Sequence, residues 1–192
     1  MRRFQIPLIL VGLLTFSATA PAQTHEQMEK TAYYAASLQN PDGGFAGQPG
    51  GESTLGGTSS AIRILKYNGG SIPDVLGAID YVKSCFDPET GGFAPEPGGK
   101  PDAHTTSVGL MAASELKVAD PEMVKKAVNY LAEHAEGFPE VRLAVAGLEA
   151  VKAPCPVEEK WLQIINEGRN DDGTWGSGES KAFETGGHAV AL

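Results

Sequence analysis

The chain has 192 residues, with 24 acidic and 15 basic side chains and a formal net charge of −9 at pH 7. That balance repels nucleic-acid phosphates and anionic lipid headgroups, and no run of lysines or arginines makes a local exception, so nucleic acid is excluded as a partner. Its two cysteines, Cys85 and Cys155, lie outside any CxxC pair and are too few for a disulfide framework. They leave open inert thiols first, a single disulfide second, and a metal or catalytic role last.

Residues 1–22 read as an export signal. Arg2 and Arg3 precede an apolar run from Phe4 to Phe16, and Ala20 and Ala22 supply a small-x-small cleavage pattern. The run is about 13 residues long and carries Gln5 and Pro7, well short of the ~20 apolar residues that span a bilayer as a helix. A transmembrane anchor is therefore the lesser reading, and no cysteine closes the run to receive lipid. Cleavage before Gln23 leaves a chain with 13 basic and 24 acidic residues, 13 minus 24 giving −11. Its expected place is periplasmic or extracellular, with no stable membrane insertion.

From there the chain repeats itself. An amphipathic helix is expected over 26–38, followed by the polar loop Asp42-Gly43-Gly44-Phe45 and a helix near 55–67 built on Thr58-Ser59-Ser60-Ala61-Ile62. The plan returns as a helix over 73–85, where Leu76, Ile79 and Val82 mark a buried stripe. The loop Thr90-Gly91-Gly92-Phe93 and a small-residue helix near 102–116 follow, the latter holding Thr105-Thr106-Ser107-Val108-Gly109-Leu110. A third unit runs through 121–134, Glu136-Gly137-Phe138 and 140–151, and a fourth through 156–167, Asp172-Gly173-Thr174-Trp175 and a helix from 183 onward. Pro73, Pro121 and Pro156 stand near helix starts, where a missing N–H costs least.

The repeat aromatics Phe45, Phe93, Phe138 and Trp175 are spaced by 48, 45 and 37 residues, which suits one helical hairpin per unit. They read as structural plugs, each turned inward after a glycine. Thr58, Thr105 and Thr185 occupy equivalent places near the starts of the small-residue helices, where a hydroxyl bonds or caps the neighbouring turn. No segment shows sustained strand alternation. The expected fold class is all-α, with residues 23–192 forming one domain of hairpin repeats. The last helix opens close to Leu192 with no glycine or charged last turn to close it, so the array is expected to be incomplete at its C-terminus.

The segment from Gly91 to Asp102, followed by Thr105 to Leu110, resembles the loop-then-inner-helix signature of the protein prenyltransferase beta-subunit repeat. Gln39-Asn40-Pro41-Asp42-Gly43-Gly44-Phe45 is similar to the Q-x-x-x-G-x-aromatic pattern of squalene cyclases. The resemblance runs over residues 26–192 and implies an alpha-alpha toroid, with inner helices around an apolar cavity that in those enzymes holds an isoprenoid chain. The prenyltransferases join that chain to a thiolate on zinc, usually with a second subunit. The cyclases use an aspartate cluster that these residues lack, since Asp171-Asp172 sits in a turn-forming loop. Complement and macroglobulin thioester domains share the helix plan, but neither cysteine here is followed by Gly-Glu-Gln.

The resemblance also gives Asp102 and His104 a zinc reading. They stand where the prenyltransferases begin an inner helix with Asp-x-Cys, and imidazole is itself a competent ligand. The third ligand of the family, a histidine at a later inner-helix start, is replaced here by Pro139-Glu140-Val141 and Phe183-Glu184-Thr185. Glu140, Glu184 or His188 would have to substitute. The competing reading makes Asp102 an N-cap and His104 an exposed first-turn residue. Arg63, Arg142 and His188, all on inner helices, are assigned to the substrate cavity. Two functions follow: transfer of an isoprenoid, or binding of an isoprenoid, another lipid or a protein partner without chemistry, which suits export better. A purely structural array is the third reading.

Overall fold

The computed structural model describes residues 23–192, so the export signal expected over 1–22 lies outside the described residues. Among the described residues, eight α-helices alternate between two layers. The outer ones are α1 (His25–Ala36), α3 (Val75–Ser84), α5 (Pro121–His134) and α7 (Glu158–Asn166), and the inner ones are α2 (Leu55–Tyr67), α4 (Ala103–Glu115), α6 (Gly137–Val151) and α8 (Lys181–Ala189). Inner helices neighbour one another in the order α2, α4, α6, and each outer helix packs on an inner one.

Burial sets α4 apart from the outer helix α5. On α5 the buried residues Met123, Ala127, Tyr130 and Leu131 keep to one stripe, whereas α4 buries nine residues all round, from Ala103 to Ala113. Small side chains make this possible. A Cβ added at Gly109 would lie 2.3 Å from the Phe93 ring, and one at Gly147 on α6 would lie 3.1 Å from the Ser107 backbone of α4. Close approach of α4 to the Phe93 ring of the second loop and to α6 therefore requires glycine at these two points.

Helix starts follow their capping residues. Thr24 and Gln27 form a capping box on α1, Thr54 accepts from Gly57 N–H, Asp74 from Gly77 N–H, and Asp120 from the N–H groups of Glu122 and Met123, with Pro121 in the first turn of α5.

The glycine-aromatic loops are built alike. In the first, Asn40 N–H donates to Gly44 O at 2.9 Å and Gly43 N–H to Asn40 O at 2.9 Å; in the second, Asp87 N–H donates to Gly92 O at 2.9 Å and Gly91 N–H to Asp87 O at 2.8 Å. In the last, Asn170 and Gly173 repeat both bonds with Thr174 and Asn170 at 2.8 and 2.9 Å. Gly43, Gly91 and Gly173 all take positive φ, at 84°, 84° and 81°, the backbone region that glycine enters without steric cost. The turn drives Phe45, Phe93 and Trp175 into the core. Within the first loop, Phe45–Ala46 and Ser53–Thr54 pair as an antiparallel ladder of two residues each.

Two expectations are corrected. Phe138 is not a loop aromatic: only Ala135 and Glu136 separate α5 from α6, and Phe138 lies half-buried in the first turn of α6, which begins at Gly137 instead of 140. With one glycine and no Asp or Thr before it, that junction cannot form the turn of the other three. The second correction concerns the repeat threonines, where Thr106, not Thr105, is the counterpart of Thr58. Phe45 N–H donates to Thr58 Oγ1 and Phe93 N–H to Thr106 Oγ1, both at 2.9 Å across 13 residues. Trp175 N–H donates to Thr185 Oγ1 at 3.0 Å.

Candidate functional site

A cleft of about 230 Å³ opens between the first turns of α2 and α4, lined by Thr54, Gly56, Pro95, His104, Thr105 and Val108. The second loop reaches it because Leu55 N–H donates to Pro95 O at 2.8 Å. Its wall is apolar at Pro95, Gly56 and Val108, with hydroxyl groups at Thr54 and Thr105 and one imidazole at the rim. His104 and Gly56 are exposed, and Val108 is half-buried.

Asp102 stands directly before this cleft as the N-cap of α4. Its Oδ1 accepts from Thr105 N–H at 2.6 Å and its Oδ2 from Thr105 Oγ1 at 2.9 Å, so both carboxylate oxygens are engaged by one residue. Of the alternative third ligands, Glu140 Oε2 accepts from Glu136 N–H at 2.9 Å, and Glu184 lies against Gly176 in the last hairpin. Among the described residues no three His, Cys, Asp or Glu side chains gather to hold a metal. Asp102 is thus engaged as the cap of α4, and a catalytic zinc would want a third protein ligand beside Asp102 and His104 as well as an open position.

The three residues expected to share a cavity are placed apart in their surroundings. Arg63 is half-buried on α2, with Nη1 3.9 Å from Met111 Sδ of α4 and its Nε without a protein partner. Arg142 is exposed on α6. His188 is buried in the last hairpin, stacked on Phe138 at 3.5 Å between ring centroids and on Trp175 at 4.9 Å, with Nδ1 2.8 Å from Glu184 O. Arg169 lies over the same Trp175 ring at 5.1 Å. None of the principal clefts among the described residues is lined by Arg63, Arg142 or His188.

At the other end of the inner layer, Lys66 bridges α2 to Glu115 of α4, and Tyr67 OH donates to the same carboxylate at 3.3 Å. The hydrogen bond to Glu115 raises the Lys66 pKa above its ordinary value. Both cysteines carry free thiols; Cys85 is buried, and burial pushes its pKa up to about 12. A thiol held so firmly protonated is a poor nucleophile.

A larger cleft, of about 600 Å³, lies between the first and second glycine-aromatic loops and is lined by residues including Asp42, Ser53, Tyr81 and Glu96. None of these four was singled out as a site residue by sequence, because they come from three separate stretches and share no motif. The only signal was the pair of matching loops, which must neighbour each other if their hairpins do.

The family model described as the prenyltransferase alpha-alpha toroid domain matches residues 1–76 and 72–132. The two matches together reach over more than half of the 192 residues, and the chain belongs to that family. Comparison with curated proteins finds no matching relative. Beyond residue 132 the same construction continues: Trp175 and Thr185 repeat the bond made by Phe45 with Thr58 and by Phe93 with Thr106.

Proposed function

We propose that this prenyltransferase-like toroid chain is a binding module whose inner-helix cleft takes an isoprenoid or similar apolar chain without transforming it. The observation that carries the reading is the lining itself: Pro95, Gly56 and Val108 offer apolar surface, while Thr54, Thr105 and His104 supply the few polar groups that orient a ligand. The surroundings do not favour transfer. A diphosphate wants converging cations, but Arg63 packs on Met111, Arg142 is exposed on another helix, and Lys181 is paired with Asp172 at 2.6 Å. Activation of a thiol would need a metal, and Asp102 is engaged as a helix cap.

The residues of the 1–22 segment support a place outside the cytoplasmic membrane. An exported binder of apolar chains presents them to, or removes them from, a partner or a membrane surface. Native mass spectrometry of the exported protein, followed by incubation with farnesyl diphosphate and a cysteine peptide, tests it. The expected result is an apolar ligand carried by the protein and an unmodified peptide. A prenylated peptide would replace binding by transfer, and protein that neither carries nor takes up an isoprenoid would remove the proposal.

A further inference from the structure

The inner helices α2, α4 and α6 end in the same way. Gly70 N–H donates to Leu65 O at 2.8 Å, Val118 N–H to Ala113 O at 2.8 Å and Ala153 N–H to Leu148 O at 3.0 Å, and in each case the residue before the donor takes positive φ. That residue is Gly69 on α2, with φ 73°, but Lys117 on α4 and Lys152 on α6, with φ 59° and 55°. Among the described residues these two lysines are the only non-glycine residues in the left-handed region, which a side chain enters at a steric cost because its Cβ crowds the following carbonyl oxygen. Glycine meets the same backbone demand freely, as it does at Gly69 and again at Gly168 beyond α7.

Both lysines line one cleft. It measures about 290 Å³ between the ends of α4 and α6, and its other walls are Ser114, Ala119, Val124, Ala150 and Val151. The two helices are fixed side by side there: Gly147 admits the Ser107 backbone, and further along α4 Ser114 Oγ donates to Ala150 O at 2.6 Å. The four apolar walls are half-buried, so the floor keeps surface that a ligand reaches, while Lys117 and Lys152 are exposed at the rim. No carboxylate lines the cleft, and none of the ion pairs among the described residues uses either lysine. Of the acids close by in the chain, Glu115 is held by Lys66 and Tyr67, Asp120 caps α5, and Glu149 is exposed on the last turn of α6.

Attraction of lysine to the negative end of a helix does not account for this placement. A basic residue anywhere in the last turn gains it, and α2 gains it from Lys66 while keeping glycine at the left-handed position. On α4 and α6 the chain instead sets the cation on the strained residue itself. That fixes where each lysine leaves its helix, and lets its aliphatic stem run along the apolar floor with the ammonium group in water.

We infer that the cleft between the C-terminal ends of α4 and α6 is a binding site for an amphiphilic anion, a carboxylate or phosphate head on a short alkyl stem. The ammonium groups of Lys117 and Lys152 donate to the head, and Ala119, Val124, Ala150 and Val151 cover the first carbons of the stem. The head comes either from a free fatty acid or from a lipid phosphate. The site lies at the opposite end of the inner helices from the cleft at Thr54 and His104 and is independent of the isoprenoid reading.

Isothermal titration calorimetry of the full chain at low salt, with octanoate and separately with octyl phosphate, tests the site. Octanol and inorganic phosphate each carry one half of the ligand and serve as the comparison. At least one of the two amphiphiles is expected to saturate at one equivalent, with an affinity that falls as salt rises. Octanoate binding alone assigns a fatty acid, and octyl phosphate binding alone assigns a lipid phosphate. Lys117→Gly and Lys152→Gly are each expected to weaken binding about tenfold or more and to raise the urea midpoint, because glycine releases the backbone cost. Lysines that only close their helices would give the second effect without the first. Lys117→Arg keeps the charge and is expected to keep the affinity, and Lys125→Gln on α5 to leave it unchanged. Failure of both amphiphiles to saturate, octanol or inorganic phosphate binding as tightly as they do, or an affinity indifferent to both glycine variants would overturn the proposal.

Discussion

The backbone N–H of Phe93 donates to the hydroxyl of Thr106 at 2.9 Å, and that hydroxyl in turn donates to Asp102 O at 2.7 Å. One side chain thus satisfies a buried loop amide and ties it to the first turn of the inner helix, with the aromatic ring fixed between them. Thr106→Val keeps the shape and removes both bonds. It should cost about 1–3 kcal/mol in urea unfolding, the range for stranding a buried polar group. Thr105→Val leaves the buried N–H paired and should cost clearly less; equal losses would show that the loop amide is not held by Thr106.

Phe93 is fully buried, and Gly109 lies against its ring. Phe93→Ala should destabilise by about 3–5 kcal/mol through the cavity it leaves. Gly109→Ala should cost about 1–3 kcal/mol for the opposite reason, because its Cβ enters space that the ring already fills. A neutral Gly109→Ala variant would mean that α4 and the second loop are packed more loosely than described.

How far the sequence could be read differs from element to element. The outer helices were legible because proline and caps act locally, and α5 begins and ends at the expected residues; the buried stripe expected on α3 fails at Leu76, which is 74 % exposed, while Ala78, Tyr81 and Val82 form the buried face. The small-residue helices were legible from close-packing composition. Thr106 was missed although its signal was present: Phe45 to Thr58 and Phe93 to Thr106 are both 13 residues apart, and counting from the aromatic aligns them where counting along the helix did not. Phe138 departs from the pattern because a glycine before an aromatic is not sufficient: the three loops that form the turn also place a threonine hydroxyl across from the aromatic N–H. His188 was expected to face a cavity; its burial between Phe138 and Trp175 depends on which rings two distant segments bring together, which spacing does not encode.

The Asp102 carboxylate behaves as a cap, so Asp102→Ala should cost about 1 kcal/mol, and His104→Ala, at an exposed position, under about half a kcal/mol. Added zinc should shift the unfolding of none of the three proteins. A zinc-dependent gain in the wild type, lost in both variants, would restore the metal reading.

Cys85 titrates far above the ordinary thiol range because it is buried. Its folded form keeps the proton where the unfolded form, near the ordinary thiol value of 9.0, has lost it. Its contribution to stability is therefore complete below about pH 9 and declines as pH rises toward about 12. At pH 8 a thiol reagent should label half-buried Cys155 readily and Cys85 only after unfolding. Equal labelling rates in native protein would contradict the described burial.

The central claim, that the cleft between α2 and α4 binds an apolar chain, is tested most directly by equilibrium titration with a fluorescent farnesol analogue. Val108 is half-buried in the wall of that cleft, so a charge placed there meets the ligand without entering the core. Saturable binding at one equivalent, competed by farnesol and weakened at least tenfold in a folded Val108→Asp variant, is the predicted result. Binding that fails to saturate, or an affinity that Val108→Asp leaves unchanged, would contradict it.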